Sequence, residues 1–291
     1  MSTVFLNGEY LPQDRALISV DDRGFLLSDG IYEVTPAYRG VLFRFGEHYA
    51  RMKRGLGVLR IDYDPEPLVE VHRRLLEANG VEDAECALVY VQITRGVAPR
   101  THWFPDHPVP PTVYAFAKAW QRPSRERWEQ GFTACSVPDR RWAHVDVKTI
   151  SLLPNVLAYQ DARERGGTDA LLVRDGFALE GAHNNFFAVF EGTVVTHPTS
   201  NVILPGITRR EVIRLARAQG IPVEERAIPV ETLAHADEMF FTGTTSEVRP
   251  TVELDGRPVG SGRVGPVARA LYDAFLASVE ATIAETRATL A

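Results

Sequence analysis

Lys148 stands inside VDVKTI (residues 145–150), a stretch that reads as a β-strand. On a strand, His144, Asp146, Lys148 and Ile150 share one face, and Val145, Val147 and Thr149 share the other. Two chemistries fit a lysine in that place. In one it is a solvated cation paired with Asp146, a surface contact worth little. In the other it faces a cleft, where burial or neighbouring cations lower its pKa and make it an amine nucleophile of the Schiff-base type.

Four further stretches carry polar groups in suggestive places. In LPGITRREVI (Leu204–Ile213) a Pro-Gly loop enters a helix near Ile207. The unpaired N–H groups of a helix start suit a phosphate, although Thr208 and Glu211 also have the spacing of an ordinary capping box. FFTGTTSE (Phe240–Glu247) ends an apolar run in glycine and hydroxyls, which makes either a plain turn or a nest of anion donors. DGFALEGAHNN (Asp175–Asn185) leaves Glu180 at a strand end, as a surface carboxylate or an inward one. RGVAPRTHWFP (Arg95–Pro105) sets Arg95, Arg100 and His102 on a loop stiffened by two prolines, where Arg100 either is solvated or grips a carboxylate bidentately. A lysine, a carboxylate, two anion sites and a carboxylate clamp are together the needs of pyridoxal phosphate held as an imine.

These groups need a scaffold, and 291 residues at 45% hydrophobic content suffice for one or two cores. With 24% charged residues and a net charge of −6, the chain lacks the basic surface of a nucleic-acid binder. No apolar run reaches transmembrane length, and the first residues lack the basic and apolar regions of a signal peptide. The two cysteines, Cys86 and Cys135, make no disulfide framework, which points to a reducing cytoplasm. The histidines match no common zinc spacing, and neither a Walker A sequence nor a nucleophile elbow occurs.

The pattern predicts strands at 3–6, 31–38, 41–45, 87–94 and 112–119, with helices over 47–59 and 65–79. QRPSRERWEQ (Gln121–Gln130) reads as a polar linker between domains. Strands follow at 132–137, 145–150, 170–173, 177–180, 185–190, 194–196 and 238–242. Helices follow over 155–165, 207–219 and 266–286. The mixture lacks the rhythm of a doubly wound sheet. It implies an α+β chain with a smaller N-terminal domain (1–120), a linker (121–131) and a larger C-terminal domain (132–291) carrying Lys148.

Seven motifs in order carry a resemblance: DRGFLLSDGIYEV (22–34), EHYARM (47–52), ITRGVAPRTHWFP (93–105), DVKTISLLPNVLA (146–158), LEGAHNNFF (179–187), LPGITR (204–209) and TGTTSEVRP (242–250). The chain resembles the fold-type IV pyridoxal-phosphate enzymes, the class IV aminotransferases, and within them the bacterial D-amino acid transaminases. The resemblance implies a two-domain enzyme using pyridoxal 5′-phosphate, with amino acids and 2-oxo acids as substrates. It makes Lys148 the Schiff-base lysine and Glu180 the carboxylate at the pyridine nitrogen. Arg51, Ile207, Thr208 and Thr244 fall to the cofactor phosphate. Tyr32, Val34, Arg100, His102, Thr245 and His183 fall to the substrate, with Arg100 and His102 reaching in from a second subunit of a homodimer. Branched-chain aminotransferases and aminodeoxychorismate lyases usually lack the Arg-x-His pair. Where relatives carry small serines after Glu-Gly, this chain has Ala182, His183 and Asn184, which alters the side-chain pocket. A branched-chain or (R)-amine transaminase and an aminodeoxychorismate lyase are the alternatives.

Overall fold

The computed structural model describes residues 2–290, and the chain divides into two compact units. The first comprises Met1–Gln121, Val147–Ser151 and Thr282–Ala291, and the second Arg122–Asp146 and Leu152–Ala281.

Unit one is a six-stranded antiparallel sheet with two long helices. Its elements are β1 (Thr3–Leu6), β2 (Glu9–Pro12), α1 (Arg23–Leu27), β3 (Gly30–Tyr38), β4 (Val41–Leu42), α2 (Phe45–Leu59), α3 (Leu68–Ala78), β5 (Ala87–Thr94) and β6 (Thr112–Ala119). The strand order is β2-β1-β6-β5-β3-β4. α3 shows why the helices lie on the sheet: Leu68, Val71, Leu75 and Leu76 recur at helical spacing and are all buried. They join Met52 and Leu56 of α2 and Ile31, Val89, Val91 and Ile93 of the strands in one core. Each such side chain contributes roughly 1.5–3 kcal/mol by leaving water. Residues 41–45 do not form one strand. Arg44 takes a left-handed conformation (φ 55°) that ends the extended chain, and α2 begins at Phe45.

Unit two curls a larger sheet on itself. It contains α4 (Arg125–Glu129), β7 (Phe132–Pro138), α5 (Leu153–Glu164), β8 (Asp169–Arg174), β9 (Phe177–Gly181), β10 (Asn185–Phe190), β11 (Thr193–Thr196), α6 (Ile207–Ala218), β12 (Val223–Glu225), β13 (Ile228–Pro229), β14 (Glu238–Gly243), β15 (Glu247–Leu254) and β16 (Arg257–Pro258). The last helix, α7, spans Pro266–Leu290. The path β10-β14-β15-β7-β8-β9 is closed by pairing of Asn185 in β10 with Glu180 in β9. Phe186 and Phe241, with Leu171, Ala178 and Val195, fill the inside of this curl. Ring closure matters for chemistry because it sets the end of β9 directly against the start of β10.

Two expectations fail here. Residues 121–131 are not a loose linker: Ser124 caps α4 by accepting from Arg127 N, and Trp128 is buried. The Trp128 indole donates to Val248 O at 2.7 Å and stacks on Tyr272 at 4.4 Å, so the segment is part of the unit-two core. Residues 145–150 form no strand either. The inward–outward alternation is real, since Val145, Val147 and Thr149 are buried. The backbone donors, however, go to scattered partners: Val145 N to Asn201 O, Thr149 N to Val147 O, Ile150 N to Gly30 O. Only an isolated bridge, Thr149 to Ile31, resembles a ladder. The segment Val147–Ser151, with Lys148, therefore belongs to unit one rather than to the C-terminal domain.

Candidate active site

Unit one holds the lysine. Tyr32 N donates to Lys148 O at 3.0 Å, which fastens the segment to β3. The half-buried Lys148 Nζ lies 4.2 Å from the Tyr32 ring centroid, a favourable cation–π placement. Among the described residues it has no carboxylate partner, and Asp146 instead faces His144 at 3.7 Å. The surface-pair reading of Lys148 is thereby set aside. Tyr32 in turn stacks on Tyr90 at 5.6 Å, and Val34 follows two residues on, on the same face of β3.

The opposite face of β3 presents Glu33, which the sequence reading missed. Arg51 of α2 grips it bidentately, Nε at 2.9 Å and Nη2 at 2.6 Å. His48 Nδ1, one turn earlier on α2, lies 3.0 Å from the same carboxylate. Burial alone raises the Glu33 pKa, but Arg51 and His48 overcome it and hold the carboxylate far below its ordinary range. Burial lowers the His48 pKa despite Glu33. Arg51, expected at a phosphate, is thus aimed by a carboxylate: His48 and Arg51, at i and i+3, share the helix face that meets Glu33.

The loop after β5 carries Arg100 and His102, both exposed, with Trp103 and Phe104 exposed beside them.

Unit two holds the second carboxylate. Glu180, the penultimate residue of β9, is 3% exposed. Its Oε2 accepts from Asn185 Nδ2 at 2.8 Å and from Leu204 N at 3.1 Å. Arg141 Nη1 meets Oε1, and the same guanidinium binds Asp139 through Nε at 2.9 Å and Nη2 at 3.1 Å. Burial raises the Glu180 pKa, against the pull of Arg141 and the Leu204 N–H; the charge of Asp139 adds to the rise. Arg141 and Asp139 were also missed. Their only trace in the sequence is the pair's closeness to Lys148.

The start of α6 is open. Gly206 is the N-cap and no side chain caps the helix, so the Thr208–Glu211 capping box does not form. Glu211 instead pairs with Arg214 at 2.7 Å and accepts from Ser278 at 2.5 Å. A Cβ on Gly206 would sit 1.9 Å from Asn185 Oδ1, so only glycine lets the loop pass beside the residue that holds Glu180. Ile207 and Thr208 are buried in the first turn, where N–H groups carry partial positive charge. The β14–β15 turn places Thr244 and Thr245 half-buried at its tip. At its root, Thr242 Oγ1 is buried without a partner, a condition that a ligand oxygen would relieve. His183 lies in the β9–β10 turn, exposed and edge-on to Tyr159 of α5 at 5.1 Å. Asn155 of α5 holds that turn by donating to Ala182 O at 2.6 Å.

Unit one supplies a half-buried amine and an arginine with an oriented guanidinium, and unit two a buried carboxylate, an uncapped helix start and an orphaned hydroxyl, each a kind of group that pyridoxal phosphate takes. Residues 30–254 match the family described as amino-transferase class IV. The chain belongs to that family. It is 41% identical over 282 residues to the D-alanine aminotransferase of Staphylococcus haemolyticus, covering 96% of this chain and 99% of that one. The D-alanine aminotransferase of Bacillus licheniformis is 35% identical, over 97% of this chain and 99% of its own. The Escherichia coli branched-chain amino acid aminotransferase superposes with a TM-score of 0.88 at 28% identity, covering 95% of this chain and 94% of that one. The T.th. branched-chain amino acid aminotransferase with pyridoxamine 5′-phosphate gives 0.84 at 28% identity, over 96% and 94%. This class IV aminotransferase is a pyridoxal-phosphate-dependent enzyme of mixed α/β, two-domain architecture.

Proposed function

We propose that the chain is a D-amino acid transaminase, moving the amino group of a D-amino acid such as D-alanine or D-glutamate to a 2-oxo acid such as 2-oxoglutarate. The observation that carries the reading is whole-length identity: 41% to a D-alanine aminotransferase, against 28% to the branched-chain enzyme whose backbone it shares. Backbone likeness marks the common scaffold, whereas substrate choice lies in side chains.

When bound, pyridoxal phosphate supplies a carbonyl that takes up the amino group and a ring that accepts electrons from the substrate α-carbon. The Lys148 amine holds the cofactor, takes the α-proton and later returns it, acting as base and then acid. The closeness of the Tyr32 ring keeps that amine oriented. Glu180 serves the ring nitrogen, and Arg141, Asn185 and Leu204 N keep its carboxylate in place. Arg51, the α6 start at Ile207 and Thr208, and Thr244 serve the phosphate. Val34, Thr245 and His183 bound the substrate side chain. Tyr32, Arg100 and His102 take the substrate carboxylate, with Arg100 and His102 supplied by the second subunit of a homodimer.

The test is a coupled assay of 2-oxoglutarate with D-alanine, L-leucine and (R)-1-phenylethylamine. D-Alanine is expected to be the preferred donor by a wide margin. A preference for L-leucine makes the chain a branched-chain transaminase, and pyruvate release from aminodeoxychorismate makes it a lyase. Borohydride reduction with peptide mapping checks the lysine independently: the cofactor should be fixed at Lys148.

A further inference from the structure

Arg100 and His102 are exposed, yet the loop that bears them is fastened by a buried cluster at its root. Arg95, the residue after β5, is 7% exposed. It reaches Asp29 through Nε at 2.7 Å and Nη2 at 3.0 Å. It also donates to Arg60 O at 3.0 Å and Leu59 O at 2.7 Å. Those carbonyls close the C-terminal end of α2, where partial negative charge favours a cation. The face of the Arg95 guanidinium lies 3.8 Å from the Phe104 ring centroid. Arg23, at the start of α1 and 3% exposed, shares the same carboxylate, Nε to Asp29 Oδ2 at 2.9 Å. Its Nη1 donates to Thr101 O at 3.0 Å.

The two cations on one carboxylate thus each reach into the loop at a different point. Arg23 holds the peptide between Arg100 and His102, and Arg95 holds the aromatic two residues beyond His102. Within the loop, Thr101 Oγ1 donates to Trp103 O at 2.9 Å, which extends the fixed stretch. Side chains projecting from either end of a pinned peptide have their directions set by the pin.

We propose that Arg23, Asp29 and Arg95 form a clamp that positions Arg100 and His102 for the substrate carboxylate. The clamp residues touch no substrate: they are positioning residues. The inference rests on the reading of Arg100 and His102 as the carboxylate grip. Arg23 is its most informative member. Arg23→Gln removes the tie to Thr101 but leaves Asp29 paired one-to-one with Arg95, so no buried charge is orphaned.

The experiment compares the Arg23→Gln and Arg100→Ala holoenzymes with wild type, using D-alanine and its carboxamide, D-alaninamide, as donors. A misaimed grip of about an ångström costs up to about 100-fold. Arg23→Gln should therefore raise KM for D-alanine about tenfold or more, with kcat and the D-alaninamide reaction within about twofold of wild type. Arg100→Ala should raise KM for D-alanine further than Arg23→Gln does. A wild-type KM in Arg23→Gln alongside a raised KM in Arg100→Ala overturns the clamp alone. Equal losses with both donors make Arg23 a general structural residue and also overturn it. An unchanged KM in Arg100→Ala removes the grip itself, and the clamp with it. Thermal melting of each holoenzyme shows whether Arg23→Gln is folded. If it is not, Phe104→Leu, which loosens the Arg95 contact at the surface, is read by the same donor comparison.

Discussion

Glu33 and Glu180 are both buried carboxylates facing an arginine, yet their acidities move in opposite directions. Glu33 is driven far down, and Glu180 is raised. The difference is how much of the cation each receives. Arg51 commits Nε and Nη2 to Glu33, and His48 adds a third contact. Arg141 gives Glu180 a single nitrogen and spends Nε and Nη2 on Asp139. A second acid competing for one guanidinium leaves Glu180 partly uncompensated. Glu33 is thus a committed counter-ion that aims Arg51, whereas Glu180 is a carboxylate that a cationic ring nitrogen can still stabilise.

The largest break in this contrast is Glu180→Lys. It places an ammonium against Arg141 in a buried site, with Asp139 as the carboxylate left to face both cations. Transaminase activity should fall at least about 100-fold, and cofactor absorbance should change with it. Wild-type turnover would show that Glu180 has no part in the reaction. Glu33→Gln breaks the other side, leaving Arg51 buried without its counter-charge. It should cost the folded chain about 3 kcal/mol, as breaking a buried pair generally does, measurable by denaturant unfolding. A loss under about 1 kcal/mol would mean that Arg51 finds another partner and is not aimed by Glu33.

The same contrast shows what could be read without coordinates. The place of Glu180 at a strand end and the helix start at Ile207 were legible because each is announced locally: a carboxylate before Gly181, and a Pro-Gly entry to a helix. Glu33, Arg141 and Asp139 were not, because their meaning is the partner. Nothing in the local spacing of β3 says that Glu33 faces α2 rather than water. The strands of unit one followed from apolar runs of strand length at 87–94 and 112–119 and from the stretch 31–38, which pair at length as β5, β6 and β3. Alternation misled at 145–150, since it records which side chains are buried and not where the backbone N–H groups go. The polar look of 121–130 misled for a similar reason: one buried indole, Trp128, outweighs the charges around it.

Unit one also carries a pH-dependent cost. His72 of α3 is fully buried, with Nδ1 at 2.6 Å from Leu68 O and Nε2 at 3.2 Å from Thr35 Oγ1. Burial pushes its pKa down to about 4 from an ordinary 6.5. Between these values the unfolded chain binds a proton that the folded chain refuses, so stability falls as pH drops from 6.5 towards 4. The loss is about 3 kcal/mol at 1.36 kcal/mol per unit. Glu33 continues the trend at lower pH: its contribution is complete above the ordinary carboxylate value of 4.5 and is lost as acid protonates it. Denaturant midpoints from pH 7 to 4 should therefore decline in wild type and decline less in His72→Gln. Parallel curves would place the acid sensitivity elsewhere.

The smallest expected effect is the sharpest test of the shared guanidinium. Asp139 raises the Glu180 pKa through its charge while drawing on Arg141. Asp139→Asn removes that charge and still offers Arg141 one amide oxygen, and Arg174, now 2.8 Å from Asp139 Oδ2, adds positive potential nearby. Both changes favour ionised Glu180. The acidic limb of the cofactor's spectroscopic titration should therefore move to lower pH in Asp139→Asn, by less than about one unit if Asp139 acts mainly through charge. An upward move would mean that Arg141 has swung away from Glu180 once its second anchor is lost. In that case Asp139 would be the device that holds Arg141 against Glu180, not its competitor, and burial would remain as the main cause of the raised Glu180 pKa.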